Sequence, residues 1–216
     1  FFKSTNIFSS SFFEQLLDKY SDIHNVCVSS NSVIPEFISI MCCKKKINYL
    51  VLSVSINLPI EIHYKSLKTL GVDRLGLVLG AYKLYKENLL IIDFGTCITY
   101  DLLLDNHYYG GQISPGFNMR LSSLHHYTEK LPKLDFEWVD QHIGNTTKSS
   151  MLLGVRDSVL FEVENVIDKY RLRYPNIMIV ITGGDIKFVK NKLKNINFIH
   201  PYLLMEGLNH IIAFNE

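Results

Sequence analysis

Residues 89–112, LLIIDFGTCITYDLLLDNHYYGGQ, constrain this chain more than any other stretch. Leu89-Leu90-Ile91-Ile92 is an apolar run of buried-strand length, and it stops at Asp93-Phe94-Gly95-Thr96. A second β-rich run, Cys97 to Leu104, ends at the turn signal Asp105-Asn106. A third short strand, His107–Tyr109, is expected to end at Gly110-Gly111. Three strands joined by tight turns predict an antiparallel meander. Its first turn sets a carboxylate, a glycine and a hydroxyl side by side. Asp93 could hold a cation, and Thr96 could donate to a phosphate oxygen. Gly95 lets a phosphate approach the backbone, because it has no Cβ. Asp and Gly are also favoured in plain turns, which is the competing reading.

A length of 216 residues allows one large domain or two small ones, and an apolar fraction of 47% is ample for a sizeable core. The formal net charge of +1 carries no excess that would point to nucleic acid or an anionic membrane. Lys44-Lys45-Lys46 is too short a basic run to read as more than a solvated loop. No stretch approaches the ~18 apolar residues of a membrane helix, and no signal peptide is visible. Cys27, Cys42, Cys43 and Cys97 lack C-x-x-C spacing, so cysteine-bound zinc is not expected. Free thiols in a reducing cytoplasm are the expectation. The chain starts with Phe1 rather than Met, which predicts that something upstream is missing, processed or not translated in this frame.

Taken in order, the spacing predicts a helix over 12–20, a strand over 25–29, a helix near 33–43 and a strand over 48–54. An extended piece over 59–63 and a helix over 69–85 follow, the latter with Leu70, Leu75, Val78, Leu79 and Tyr82 on one face. After the meander come a helix over 116–128, irregular chain or a short strand over 133–139, and a long helix over 147–174 that stops before Pro175. A buried strand over 177–181, a turn at Thr182-Gly183-Gly184-Asp185, a helix over 186–193, a strand over 196–199 and a closing helix over 202–213 complete the chain. From residue 86 onward the order is β-β-β-α-α-β-α-β-α, that of a ribonuclease-H-like half. The expected architecture is therefore α/β, two halves with mixed sheets flanked by helices, residues 1–85 and 86–216.

Six blocks in order carry a family resemblance. They are Gly71-Val72-Asp73-Arg74; Asp93-Phe94-Gly95-Thr96-Cys97-Ile98-Thr99-Tyr100-Asp101; Gly110-Gly111-Gln112-Ile113-Ser114-Pro115-Gly116; Thr128-Glu129-Lys130-Leu131-Pro132; Gly144-Asn145-Thr146-Thr147 with Gly154; and Thr182-Gly183-Gly184-Asp185. In this order the chain resembles the type III pantothenate kinases of the actin-like superfamily, with the closing helix over 203–215 also similar. The resemblance implies a duplicated actin-like fold, a homodimer, and transfer of phosphate from ATP to pantothenate, the first step towards coenzyme A. It implies Mg²⁺ with the ATP and a monovalent cation, K⁺ or NH₄⁺, at Asp93. It implies Asp73 as the general base, and pantothenate contacts from Tyr64, Gly71, Val72, Asp73 and Arg74, with Thr147 supplied across the dimer. It implies ATP contacts from Gly95, Thr96, Gly183 and Gly184, and a cytoplasmic enzyme with no nucleic-acid or membrane partner.

Each role has a plainer alternative. Asp73 could pair with Arg74, or be a helix N-terminal carboxylate favoured by the dipole. Arg74 could fork onto the pantothenate carboxylate or form a surface salt bridge. Tyr64 could be a packed aromatic, Thr147 a helix cap, and Gly183-Gly184 a plain turn. Asp101 is either a second polar wall of the phosphate cleft or a strand-end carboxylate. Among eight histidines, His125-His126 have no metal-ligand spacing around them and read as surface or interface packing. The family begins with a strand carrying D-x-G-N-T, which this sequence lacks; Phe1-Phe2-Lys3 falls about where the following strand would be, and neither Thr5 nor Asn6 is preceded by Asp-x-Gly. That departure predicts an incomplete first half and a poor kinase in the chain as written. It also keeps a second class open, a non-catalytic relative of the Bvg accessory factor type.

Overall fold

The computed structural model describes residues 8–216, so the expectations for Phe1-Phe2-Lys3, Thr5 and Asn6 fall outside the described residues. The first elements are α1 (Ser10–Lys19), β1 (Asn25–Val28), α2 (Glu36–Lys44) and β2 (Asn48–Val51). β1 and β2 pair in parallel, Asn25 opposite Asn48, and make a small sheet of their own. Phe13 and Leu17 of α1 meet Ile38 and Cys42 of α2 in a separate small core.

A six-stranded sheet forms the larger body. It contains β3 (Glu61–Ile62), β4 (Leu89–Phe94), β5 (Cys97–Leu104), β6 (His107–Pro115), β7 (Met178–Thr182) and β8 (Phe198–Ile199) in the spatial order β3-β6-β5-β4-β7-β8. The β4-β5-β6 meander is antiparallel, while β3, β7 and β8 run parallel to their neighbours. Both faces are covered by helices. Leu90, Ile92 and Phe94 point towards α4 (Phe117–His126) and α5 (Thr147–Arg173), where they meet Leu121, Val155, Val159 and Val163. Leu89 and Ile91 point the other way, into a core with Leu75, Val78 and Leu79 of α3 (Val72–Tyr85) and Leu203 and Ile211 of α7 (Leu203–Phe214). Burial on both faces is why β4 reads as an unbroken apolar run rather than an alternating one. α3 and α7 cross closely: a Cβ on Gly207 would lie 1.9 Å from the Gly76 carbonyl oxygen.

The α/β class and the order of the second half are as expected, with a four-residue α6 (Ile186–Val189) between β7 and β8. Three expectations are corrected. The third meander strand does not stop at the glycines; β6 continues to Pro115, and the register shifts between Leu102 and Leu103. The glycine signal marks a bulge inside the strand rather than its end. α3 begins at Val72 rather than residue 69, after a single 3₁₀ turn over Leu67–Thr69. The helix expected over 186–193 is only four residues long. Among the described residues no helix is long and apolar enough to cross a membrane.

Candidate active site

The parallel strands β4 and β7 end together, with Asp93 opposite Thr182. Carboxyl ends of parallel strands are where α/β sheets bind ligands. The turn after β4 is closed by the Gly95 N–H donating to the Cys97 carbonyl at 3.1 Å. The turn after β7 leans on it, since the Asp185 N–H donates to the Phe94 carbonyl at 3.0 Å. α3 brings its first turn to the same place. Its N-terminus is capped from the first half of the chain, with the Val72 N–H donating to Asn31 Oδ1 at 2.9 Å.

Two cavities open here. One, of 710 Å³, has Asp73, Asp93, Gly183 and Gly184 in its wall. The other, of 590 Å³, is bounded by Gly95, Thr96, Asn118 and Asp185, and Gly184 borders both. The structure thus brings together Asp73, Asp93, Gly95, Thr96, Gly183 and Gly184 of the expected site residues. The two adjacent glycines differ. Gly183 has φ +107°, and a Cβ there would sit 2.4 Å from Asp93 Oδ1 and 2.3 Å from the Phe94 carbonyl oxygen, so the turn itself requires glycine. Gly184 has nothing within 4 Å of where a Cβ would stand, so the space beside it is free for a ligand.

The first cavity is lined by both signs of charge, Asp73 and Asp93 with Lys187 and Lys190. Burial, and then the charges of Asp73, Asp101 and Asp185, push the Asp93 carboxyl up to about 6. Burial also raises Asp185, against the pull of Lys187. Carboxylate oxygens in a half-buried, self-repelling group suit a hard cation, which would relieve the repulsion. The donor set therefore fits a cation at Asp93.

Asp73 is a helix N-terminal carboxylate: its Oδ1 accepts from the Arg74 N–H at 2.8 Å. It is not paired with the Arg74 guanidinium, which faces Asp101. Arg74 Nη2 donates to Asp101 Oδ1 at 2.6 Å and Nε donates to the same oxygen at 3.0 Å. Tyr108 Oη donates to Asp101 Oδ1 at 2.7 Å, and Thr99 Oγ1 to Oδ2 at 3.2 Å. The pair is buried, with Arg74 5% and Asp101 0% exposed, so it is no surface salt bridge. Burial opposes the charge on Arg74, but the hydrogen bonds and charge of Asp101 outweigh it and push the guanidinium's pKa up. Asp101, left open between cleft wall and strand end, is the counter-ion of Arg74.

Tyr64 is packed. Its ring lies parallel to Tyr108 at 6.4 Å, 5.9 Å from the Arg74 guanidinium carbon, and against Gly110, where a Cβ would be 2.5 Å from the ring. Thr147 is exposed at the first position of α5 and borders neither cavity. It is not the cap: Thr146 is, with Oγ1 accepting from the Ser149 N–H at 3.1 Å and Ser149 Oγ accepting from the Thr146 N–H at 3.1 Å. Nothing in the sequence marks Asn31 or Asn118 as site residues, whereas Asp185 carries a signal, because it closes the Thr182–Asp185 block.

Comparisons with known proteins identify the family. The sequence model of the type III pantothenate kinase family matches residues 3–169. A type III pantothenate kinase of Flavobacterium johnsoniae is 36% identical over 203 residues, 93% of this chain and 83% of that protein. One of Christiangramia forsetii is 38% identical over 206 residues, 94% of this chain and 84% of that protein. In fold, the chain is similar to the crystal structure of a conserved Baf family transcriptional activator of Campylobacter jejuni, with a TM-score of 0.60 over 94% of this chain and 88% of that one. At 19% identity that likeness concerns the fold alone.

Proposed function

This chain belongs to the type III pantothenate kinase family, and on that premise we propose how its cleft moves the γ-phosphoryl group of ATP onto a hydroxyl of pantothenate. The products are ADP and phosphopantothenate, on the way to coenzyme A. The hydroxyl oxygen bonds to the γ-phosphorus, the bond from that phosphorus to the bridging oxygen breaks with ADP, and the hydroxyl proton passes to Asp73. Enzymes of this kind act mainly by positioning and by stabilising charge. The observation that carries the reading is that Asp73 and Asp93 enter one cavity at the ends of β4 and β7.

Gly95 and Thr96 take the phosphates and Gly184 faces the nucleotide, with Gly183 holding the turn that aims it. Asp93, in the wall of the cavity, would hold K⁺ or NH₄⁺, and Mg²⁺ bound with ATP would offset phosphate charge. Tyr64, Gly71, Val72 and Arg74 form the pantothenate side, where a contact from Arg74 to the substrate carboxylate competes with Asp101. Thr147 completes the site of a second chain in a homodimer, and the nucleotide lies between the two halves, 1–85 and 86–216. Four free cysteines suit a cytoplasmic setting. The test is Asp73→Asn, which should lower turnover ~10²–10⁴-fold with the melting temperature unchanged. Near-normal turnover in the folded variant would remove Asp73 as the base.

A further inference from the structure

Away from the cleft, at the outer edge of the large sheet, we propose that Glu61, His63 and His107 form a binding site for a divalent first-row transition metal, a site that clasps β3 to β6. β3 pairs with β6 at two positions only, Glu61 opposite His107 and Ile62 opposite Tyr108. His63 directly follows β3 and its N–H still bonds across to β6, so Glu61 and His63, two residues apart in extended chain, leave the same face. His107, as the register partner of Glu61, presents on that face too. Ladder bonds fix the arrangement: the Glu61 N–H donates to the Asn106 carbonyl at 3.0 Å and the His63 N–H to the Tyr108 carbonyl at 2.8 Å.

The spacing of the donor atoms suits a metal. Glu61 Oε2 lies 3.5 Å from His63 Nε2 and 3.3 Å from His107 Nε2. One donor atom from each of the three residues falls within 4.8 Å of the others. Tetrahedral coordination at about 2.0–2.1 Å per ligand sets donor atoms roughly 3.3 Å apart. Two of the three edges therefore already have coordination spacing. The imidazole rings stand at 86° with centroids 4.7 Å apart, and the Tyr109 ring walls them on one side, 5.2 Å from His63. Two imidazoles with one carboxylate select a borderline cation such as Zn²⁺ over the hard cations that suit the aspartates of the cleft. Half-exposed side chains leave the remaining coordination position to water. A bare Glu–His ion pair this exposed would hold β3 weakly. A bound metal would hold it firmly, and with it Tyr64, the residue after His63.

The full chain is titrated with Zn²⁺ by calorimetry in excess K⁺ and Mg²⁺, added to compete at the cleft carboxylates, and with Co²⁺ by visible absorption. One saturable equivalent per chain is expected, with a raised melting temperature. His63→Ala and His107→Ala should each weaken binding by ~10–100-fold or more, while a His125→Ala/His126→Ala double variant binds as the parent does. Absence of a saturable site overturns the proposal, and so does unchanged affinity in His107→Ala. If the histidine variants unfold, Glu61→Gln decides: its side chain is 75% exposed, and undiminished Zn²⁺ affinity in that variant also overturns it.

Discussion

A carboxyl group whose charge is opposed by burial and by three neighbouring aspartates gives up its proton late, and Asp93 does so at about 6 against an ordinary 3.8. The folded chain then binds this proton more tightly than the unfolded chain. Below pH 3.8 both states are protonated and Asp93 is neutral in the balance. As pH rises from there to about 6, stability is lost, and above about 6 the full penalty is present. Asp93→Asn removes that penalty. It should melt at the same temperature as the parent near pH 3.8 and at a higher one above pH 6, a gap that thermal scans across this window will measure. The parent should also gain melting temperature from K⁺ above that pH, and the variant should not. A gap that closes as pH rises would mean that Asp93 is stabilised by its surroundings. At the same scale the Arg74–Asp101 pair shows what the sequence hides. Nothing in G-x-D-R says that the arginine faces a strand residue 27 positions later. The signal was a lone aspartate inside the apolar run of β5, at a position that proves to be 0% exposed. A buried charge needs a partner, and that need is physical, but sequence spacing does not name the partner.

Two adjacent threonines open helix α5, and Thr146 is the one that caps it. Thr146 satisfies a free N–H group at the helix start, together with Ser149 in a reciprocal pair. Thr146→Ala should cost about 1 kcal/mol, within a range of roughly 0.5–2, seen as a lower denaturation midpoint with kinetics intact. Thr147→Ala should leave the midpoint alone and raise the KM for pantothenate. Interchanged effects would place the substrate contact one residue earlier. Asn145, Thr146 and Thr147 are all able to cap, and a one-residue offset at a helix end is decided by backbone angles, so the sequence alone does not separate Thr146 from Thr147. Elsewhere the elements were readable to the degree that burial wrote them. β4 and β7 stand as expected, since strands buried on both faces must be apolar throughout. β6 reads short in the sequence because glycines directly follow its bulged residue, Tyr109, and glycines signal a stop. The pairing of β3 with β6 was not readable, because two residue pairs leave no periodicity to detect.

The proposed sharing of one site between two chains belongs to the scale of the whole molecule. α3, which carries Asp73, covers one face of the six strands, and α5, which carries Thr147, covers the other. Thr147 borders neither cavity of its own chain. A threonine on the far face reaches a substrate beside Asp73 most simply from a second copy, and two-fold dimers are the commonest assembly able to supply one to each site. Complementation tests this at the scale of the whole molecule. In a heterodimer of an Asp73→Asn chain with a Thr147→Ala chain, one site keeps both residues and the other loses both. Each parent homodimer is impaired in both of its sites. Random mixing makes half of the dimers hybrid, each with one whole site, so activity should recover to about a quarter of the unmutated enzyme. Two different affinity tags isolate the hybrid, which should then reach about half. A purified hybrid no more active than its parents would show that Thr147 does not act across an interface, and a chain that sediments as a monomer while fully active would show that no second copy is needed.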